Sequence, residues 1–204
     1  MKGKCIDDHE SGMCSADGGY DMDSLLLYHT GYDIIHEPDI HHGRKNADFG
    51  QGFYLTLDQE FAYTWAREHK DQKVYVNRYV LDLDGLAVKT LERNADWYRY
   101  IFHNRQGYGD DYAEADIIRG PIANDTIFDL FGIVTSGFLT EEEALGVLLN
   151  GPCYEQIVLK SEKASRQLRW QDAEEIPLDV LRANRVRIQQ EEEAFQKAAA
   201  RILG

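Results

Sequence analysis

Long apolar runs are absent from this sequence. No stretch approaches the roughly 20 apolar residues that a membrane-crossing helix needs. The opening residues, "MKGKCIDDHESGMCSADGG", have none of the apolar core of a secretory signal. The expected compartment is therefore the cytoplasm, with no membrane partner. Cysteine is scarce: Cys5, Cys14 and Cys153 make an odd count of three without metal-ligand spacing, which argues against a disulfide framework and fits reduced thiols. Positive charge is in short supply as well. Twenty-two Lys and Arg against 36 Asp and Glu leave a formal net charge of -14, which opposes broad attraction to nucleic acid or to an anionic membrane. A nucleic-acid partner is thus disfavoured, whereas a local basic pocket can still hold an anionic ligand. The GxSxG elbow, the Walker-type loop, the HExxH helix and a GxGxxG turn after a strand are also missing, so hydrolase, NTPase and Rossmann readings lack their signatures.

What is present suffices for one sizeable core: 204 residues, 43% of them hydrophobic. Residues 1–23, rich in Asp, Gly and Ser, are expected to be a disordered tail, residues 24–172 a domain and residues 173–204 a helical extension. Within the domain, "LLLYHT" and "GFYLT" read as strands, and Asp58 caps a helix expected over "QEFAYTWAREH". "KVYVNRYVLDLDGLAVKTL" reads as a strand bulged near Asn77 and Arg78, a turn at Asp84 and Gly85, and a short second strand. Asn94 caps a helix over "NADWYRYIFHNRQ", a short strand ends at Gly120 and Pro121, and a helix starts near Asn124 or Asp125. Thr140 and Glu143 form a capping box, and "CYEQIVLKS" is a strand again. Short strands with interspersed helices in irregular order predict an α+β domain. The segment after Pro177 favours helix but is polar on most faces, which suits projection or pairing with a partner.

The stretch "YHTGYDIIHEPDIHHGRKNADFGQGFYLT" departs from what packing alone requires. His29 sits at the end of a strand. Two glycines, Gly50 and Gly52, permit a tight backbone path, and the aromatic pair after them places one ring on each face of a strand. Arg44 and Lys45 precede this turn, where guanidinium and backbone N–H groups suit a phosphate. His36, Glu37, Asp39, His41 and His42 match no strong ligand template, so no metal is expected.

Taken in order, "LLLYHT", "GRKNADFGQGFYLT", "ADIIRGPIAND" and "YEQIVLKSEKA" resemble an uncharacterised bacterial family related to ADP-ribosyltransferases. The chain looks like a His-Tyr-Gln variant of the poly(ADP-ribose)-polymerase-like His-Tyr-Glu branch. The resemblance implies a split pair of antiparallel sheets clasping NAD as substrate. It implies that His29 bonds the adenosine ribose, that the backbone of Thr30 and Gly31 holds the nicotinamide amide where glycine usually follows the histidine, and that Tyr54 stacks on nicotinamide. The third signature, usually a glutamate, falls on Gln156. Glu155 is its neighbour on the opposite strand face, and only one of the two can reach the ligand. Asp48, Phe49, Gly50 and Gly52 are expected to shape the pocket floor before Tyr54, and Arg44 to meet the pyrophosphate. Asp116, Asn124 and Asp125 are further candidates, as helix caps or site residues.

The implied activity is cleavage of the nicotinamide–ribose bond and transfer of ADP-ribose to an acceptor, in an effector or toxin setting common among bacterial relatives. A module that binds NAD or ADP-ribose without turnover is the alternative, because an amide brings no charge to a developing cation. A third reading is an interaction protein recruiting its partner through the C-terminal helix.

Overall fold

A computed structural model describes residues 24–69, 72–123 and 154–203. The expected tail, the helix start at Asn124 or Asp125, the capping box and all three cysteines lie outside the described residues.

Seven strands and four helices are seen among the described residues: β1 (Ser24–Gly31), β2 (Phe53–Leu55), α1 (Gln59–Trp65), β3 (Tyr75–Asp82), β4 (Val88–Thr90), α2 (Ala95–Gln106), β5 (Ile117–Pro121), β6 (Glu155–Leu159), α3 (Glu162–Gln167), β7 (Leu168–Glu175) and α4 (Leu178–Leu203). The strands form two sheets, ordered β1-β3-β7 and β2-β6-β5-β4, so the chain is of mixed α+β class.

Local chemistry sets the helix starts. Asp58 Oδ1 accepts from Phe61 N at 2.9 Å, Asn94 Oδ1 from Asp96 N and Trp97 N at 3.1 and 3.2 Å, and Ser161 Oγ from Ala164 N at 3.1 Å. The periodicity of α1 continues to His69, but the helix stops at Trp65, where Ala66 swings to ψ 127. The bulge in β3 is present, with the register against β7 shifting between Arg78 and Tyr79.

Three features depart from the sequence reading. The sheets are not wholly antiparallel, since β4 runs parallel to β5. Helix α3 is not announced by the pattern, and neither is β7. The segment "LRWQDAEE" carries too many charges to read as a strand, yet those charges hold it on the sheet edge. Asp172 pairs with Arg78, Glu175 with Lys73 at 2.7 Å, and Glu174 accepts from the Tyr63 hydroxyl. Charged cross-strand pairs both stabilise an edge and discourage further pairing along it. Because β7 ends at Glu175, the first sheet reaches past residue 172 before α4 begins.

Three apolar clusters follow from this arrangement. Leu27, Phe53, Leu55, Tyr79, Leu81, Ile157 and Leu159 pack between the sheets. Phe49, Trp97, Ile101, Ile118 and Val158 pack under α2. Tyr28, Ala62, Ala66, Val76, Ile176 and Leu181 join β1, α1, β3 and the start of α4.

Candidate functional site

The two sheets meet at one bridge and then part. Tyr28 N and O exchange bonds of 2.9 Å each with Thr56 O and N. Strand periodicity places the Thr30 N–H and C=O on that same side, opposite Tyr54. The ladder does not continue there. Instead the Tyr54 carbonyl accepts from His29 Nδ1 at 2.7 Å. A side chain thus replaces a main-chain rung, and the Thr30 amide unit faces the opening between the sheets.

A cavity of about 310 Å³ lies at this opening, lined among others by His29, Thr30, Arg44, Asp48, Tyr54 and Gln156. Its size is within the roughly 300–1,000 Å³ of small-molecule sites.

The chemistry of His29 is defined by its bond. A carbonyl only accepts, so Nδ1 carries the proton and Nε2 offers a lone pair when the ring is neutral. Burial lowers the His29 pKa from its ordinary value, against the raising effect of the Tyr54 bond, which favours the neutral ring. The imidazole stacks on Phe53 with centroids 4.5 Å apart. Gly31 lies beside it, where a Cβ would sit 3.2 Å from Nε2. The Thr30 hydroxyl donates to Ala62 O at 2.6 Å, which ties α1 to the end of β1.

Tyr54 uses both capacities of its hydroxyl to close the preceding turn, donating to Gly50 O at 2.7 Å and accepting from Phe49 N at 3.0 Å. Burial pushes its pKa far up, so the phenol stays protonated and contributes a fixed ring rather than an acid or base.

Nearly every polar group of the turn before Tyr54 is met. The Asp48 carboxylate pairs with Arg105 at 2.5 Å and accepts from Ala123 N at 3.1 Å. Asp48 O accepts from Asn104 Nδ2 at 3.2 Å, and Phe49 O accepts from Lys160 Nζ. Lys160 pairs with Asp110 at 2.9 Å. Burial alone would raise the Asp110 pKa, but bonds from Tyr100 and Lys160 outweigh it and hold the carboxyl below its ordinary range. Gly50 has φ +72, and a Cβ there would lie 2.9 Å from Lys160 Nζ. At Gly52 a Cβ would lie 2.5 Å from Val158 Cγ1, so only glycine lets β2 enter against β6. Phe49, Gly50 and Gly52 therefore do not line the cleft. Phe49 is a core residue with 0% exposure, and the two glycines position Tyr54.

Gln156 and Glu155 project to opposite faces of β6. Gln156 lines the cleft, is 6% exposed, and its Nε2 is buried with no hydrogen-bond partner among the described residues. A buried amide donor left in this state costs free energy of about 1–3 kcal/mol unless a ligand meets it. Glu155 bonds Arg119 at 2.6 Å and does not line the cleft. Arg44 stands exposed at the rim and makes no ion pair among the described residues.

Asp116 is not at the cleft. Its oxygens accept from Ser161 Oγ at 2.5 Å and Ala87 N at 2.9 Å, and its carbonyl accepts from Lys160 N at 2.9 Å. It clips β5 to the segments before β4 and α3. The Ser161 bond, then the Ala87 bond, lower its pKa. A depressed carboxylate contributes stability that is present above its unfolded pKa and lost as pH falls through its folded value. Asp116→Ala is expected to cost about 1–2 kcal/mol at pH 7. In urea unfolding, the gap to the unaltered protein should shrink as pH drops below 4.

The cleft also contains residues that the pattern assigned only to strands, helix faces or loops and not to a site: Tyr28, Thr56, Phe61, Trp65, Arg105 and Ile122. Trp65 is 40% exposed, an unusual state for a tryptophan on the apolar stripe of a helix. Arg67 lies 4.9 Å from its ring centroid.

The assembled groups are a lone pair on His29, a main-chain donor and acceptor at Thr30, a fixed ring at Tyr54, a neutral amide at Gln156 and a guanidinium at Arg44. The cleft carboxylate of Asp48 is engaged by Arg105. Such a set recognises a ligand with hydroxyls, an aromatic ring and an anionic group better than it performs acid–base chemistry.

Fold and site thus define an α+β protein with a cleft at the split between two sheets. The family described as protein of unknown function (DUF3990) matches residues 25–170, and the chain belongs to that family. No curated protein and no solved structure matches it. No helix among the described residues is long and apolar enough to cross a membrane, and no group of metal-ligating side chains is found among them.

Proposed function

We propose that the cleft binds NAD and that the protein is an ADP-ribosyltransferase-like enzyme acting on its nicotinamide–ribose bond. The observation that carries this reading is that His29, Tyr54 and Gln156, from three strands far apart in sequence, line one cleft. His29 Nε2 accepts from a hydroxyl of the adenosine ribose, and the Thr30 main chain bonds the nicotinamide carboxamide. Tyr54 stacks on the nicotinamide ring, Gln156 Nε2 donates to a hydroxyl of the nicotinamide ribose, and Arg44 meets the pyrophosphate. The C–N bond to nicotinamide breaks with its electron pair leaving on nicotinamide, and an acceptor nucleophile attacks the cationic ribose carbon, losing its proton. The acceptor is a macromolecule or small molecule that the net charge of -14 makes less suited to be nucleic acid.

A second reading is favoured by one observation, the neutral side chain at residue 156: the cleft holds NAD or an ADP-ribosyl group without turning it over. NAD labelled in the nicotinamide ring separates the two. Release of nicotinamide by the purified protein, alone or with cell extract, and its loss in folded His29→Ala, supports the enzyme. NAD binding without release supports the module, and neither binding nor release contradicts both.

A further inference from the structure

Helix α1 has only seven residues, whereas isolated helices below about 12–15 residues are marginal in water. It nevertheless supplies Phe61, Ala62 and Trp65 to the cleft. Its placement must come from contacts outside itself, and its C-terminal end is where it has least of its own. The last turn has no basic residue, and Ala66, in place of a left-handed glycine, ends the helix. Helix-end carbonyls need external partners.

Asn184 of α4 provides one. Its Nδ2 donates to Tyr63 O at 2.6 Å and reaches Ala66 O at 3.4 Å. Asn184 is 8% exposed, and an asparagine buried on a helix is costly without such bonds. One turn earlier, Leu181 packs with Tyr28, Ala62 and Ala66. Further along α4, Glu191 and Arg187 act on the Tyr154 hydroxyl, whose pKa is raised by burial first and by Glu191 second. Tyr154 in turn stacks on Phe61 with centroids 4.2 Å apart, and its carbonyl accepts from Ile122 N at 2.8 Å. Phe61 and Ile122 both line the cleft. From Leu181 to Asn184, α4 backs one wall of the site.

We infer that the C-terminal helix is a structural part of the ligand cleft, with Asn184 as the positioning residue that fixes α1, and through it Phe61 and Trp65, in the binding geometry. This rests on the reading of the cleft as a ligand site, and it differs from a role for the helix in partner recruitment alone. Removing residues 178–204 should therefore impair the cleft rather than leave it intact.

The test uses the full chain and a readout that needs no ligand. Trp65 emission is isolated as the difference between each protein and its Trp65→Phe counterpart, and its quenching by acrylamide is measured. In Asn184→Ala the quenching constant should rise about twofold, as expected for a wall that opens locally. NAD affinity by calorimetry should fall about tenfold, equivalent to loss of roughly one good hydrogen bond. Asp116→Ala, destabilised at a clip outside the cleft, should leave Trp65 quenching unchanged. Should Asn184→Ala not fold, Asn184→Asp keeps the size but loses the donor when ionised, and is read the same way. Unchanged Trp65 quenching in a folded Asn184 variant would overturn the inference. If the unaltered protein itself binds no NAD, the proposed ligand fails, while the quenching comparison still decides the role of Asn184.

Discussion

Gln156→Glu should raise the rate of nicotinamide release from NAD by about 100-fold, the scale on which a single preorganised electrostatic group acts in a water-poor site. The substitution exchanges an amide for a carboxylate of the same shape at a residue that is 6% exposed and faces the cleft. Because the Gln156 Nε2 has no partner among the described residues, the change breaks no internal hydrogen bond there. It adds negative charge beside the ribose carbon on which positive charge develops as nicotinamide departs. The same burial will raise the pKa of the new carboxyl above the ordinary glutamate value of about 4.3, because desolvation disfavours the charged form. Only the ionised form stabilises a cation, so the rate of the variant should rise with pH through that raised pKa. The unaltered protein should lack this limb of the profile. Steady-state rates measured from pH 5 to 9 test both points. A folded, NAD-binding variant with no gain at any pH would mean that residue 156 does not face the reacting carbon.

Tyr54→Ala is expected to weaken NAD binding by about 100-fold, at the upper end of what an aromatic ring contributes by stacking on one base. The loss has two sources that a second variant separates. Tyr54→Ala removes the ring that lines the cleft and also the hydroxyl that closes the turn through Gly50 O and Phe49 N. Tyr54→Phe removes only the hydroxyl. It should cost about 1–3 kcal/mol of stability, since Phe49 N is left without its acceptor. It should retain most of the affinity for NAD. Calorimetry and urea unfolding on both variants give the comparison. Equal affinity losses in the two would assign the effect to the turn and not to stacking.

Much of the scaffold was legible because its signals are local. The caps at Asp58 and Asn94 and the bulged β3 follow from side-chain and backbone chemistry within a few residues. So does the short strand ending at Pro121. What escaped the pattern depends on partners distant in the chain. β7 carries too many charges to read as a strand until Arg78 and Lys73, 94 and 102 residues before their partners, supply its counter-charges. α1 ends early at Ala66, where its final carbonyls meet Asn184, a residue that looks like an ordinary polar position on a polar helix.

The same division applies to the cleft. His29 was marked by strand position and Tyr54 by glycine context, whereas Gln156 was marked by the family resemblance alone, and all three line it. Phe49 was not separable from its neighbours, since whether its ring faces a ligand or a core depends on α2 packing against it. Asp48 looked available to a ligand until Arg105, on the last turn of α2, was brought beside it. Asp116 could be read as a helix cap or as a site acid because a clip and a catalytic carboxylate have the same sequence appearance. The Trp65 indole was hidden by the opposite ambiguity, an apolar helical position that in three dimensions opens onto the cleft.

The central claim is that the opening between the two sheets is an NAD site. Its most direct test is calorimetric titration of NAD into the unaltered protein and into His29→Ala, with folding of each verified by circular dichroism. The account predicts saturable one-to-one binding by the unaltered protein and its loss in the folded variant, because Nε2 of His29 is the acceptor assigned to the adenosine ribose. Equal binding by both proteins, or no binding by the folded unaltered protein, would contradict it.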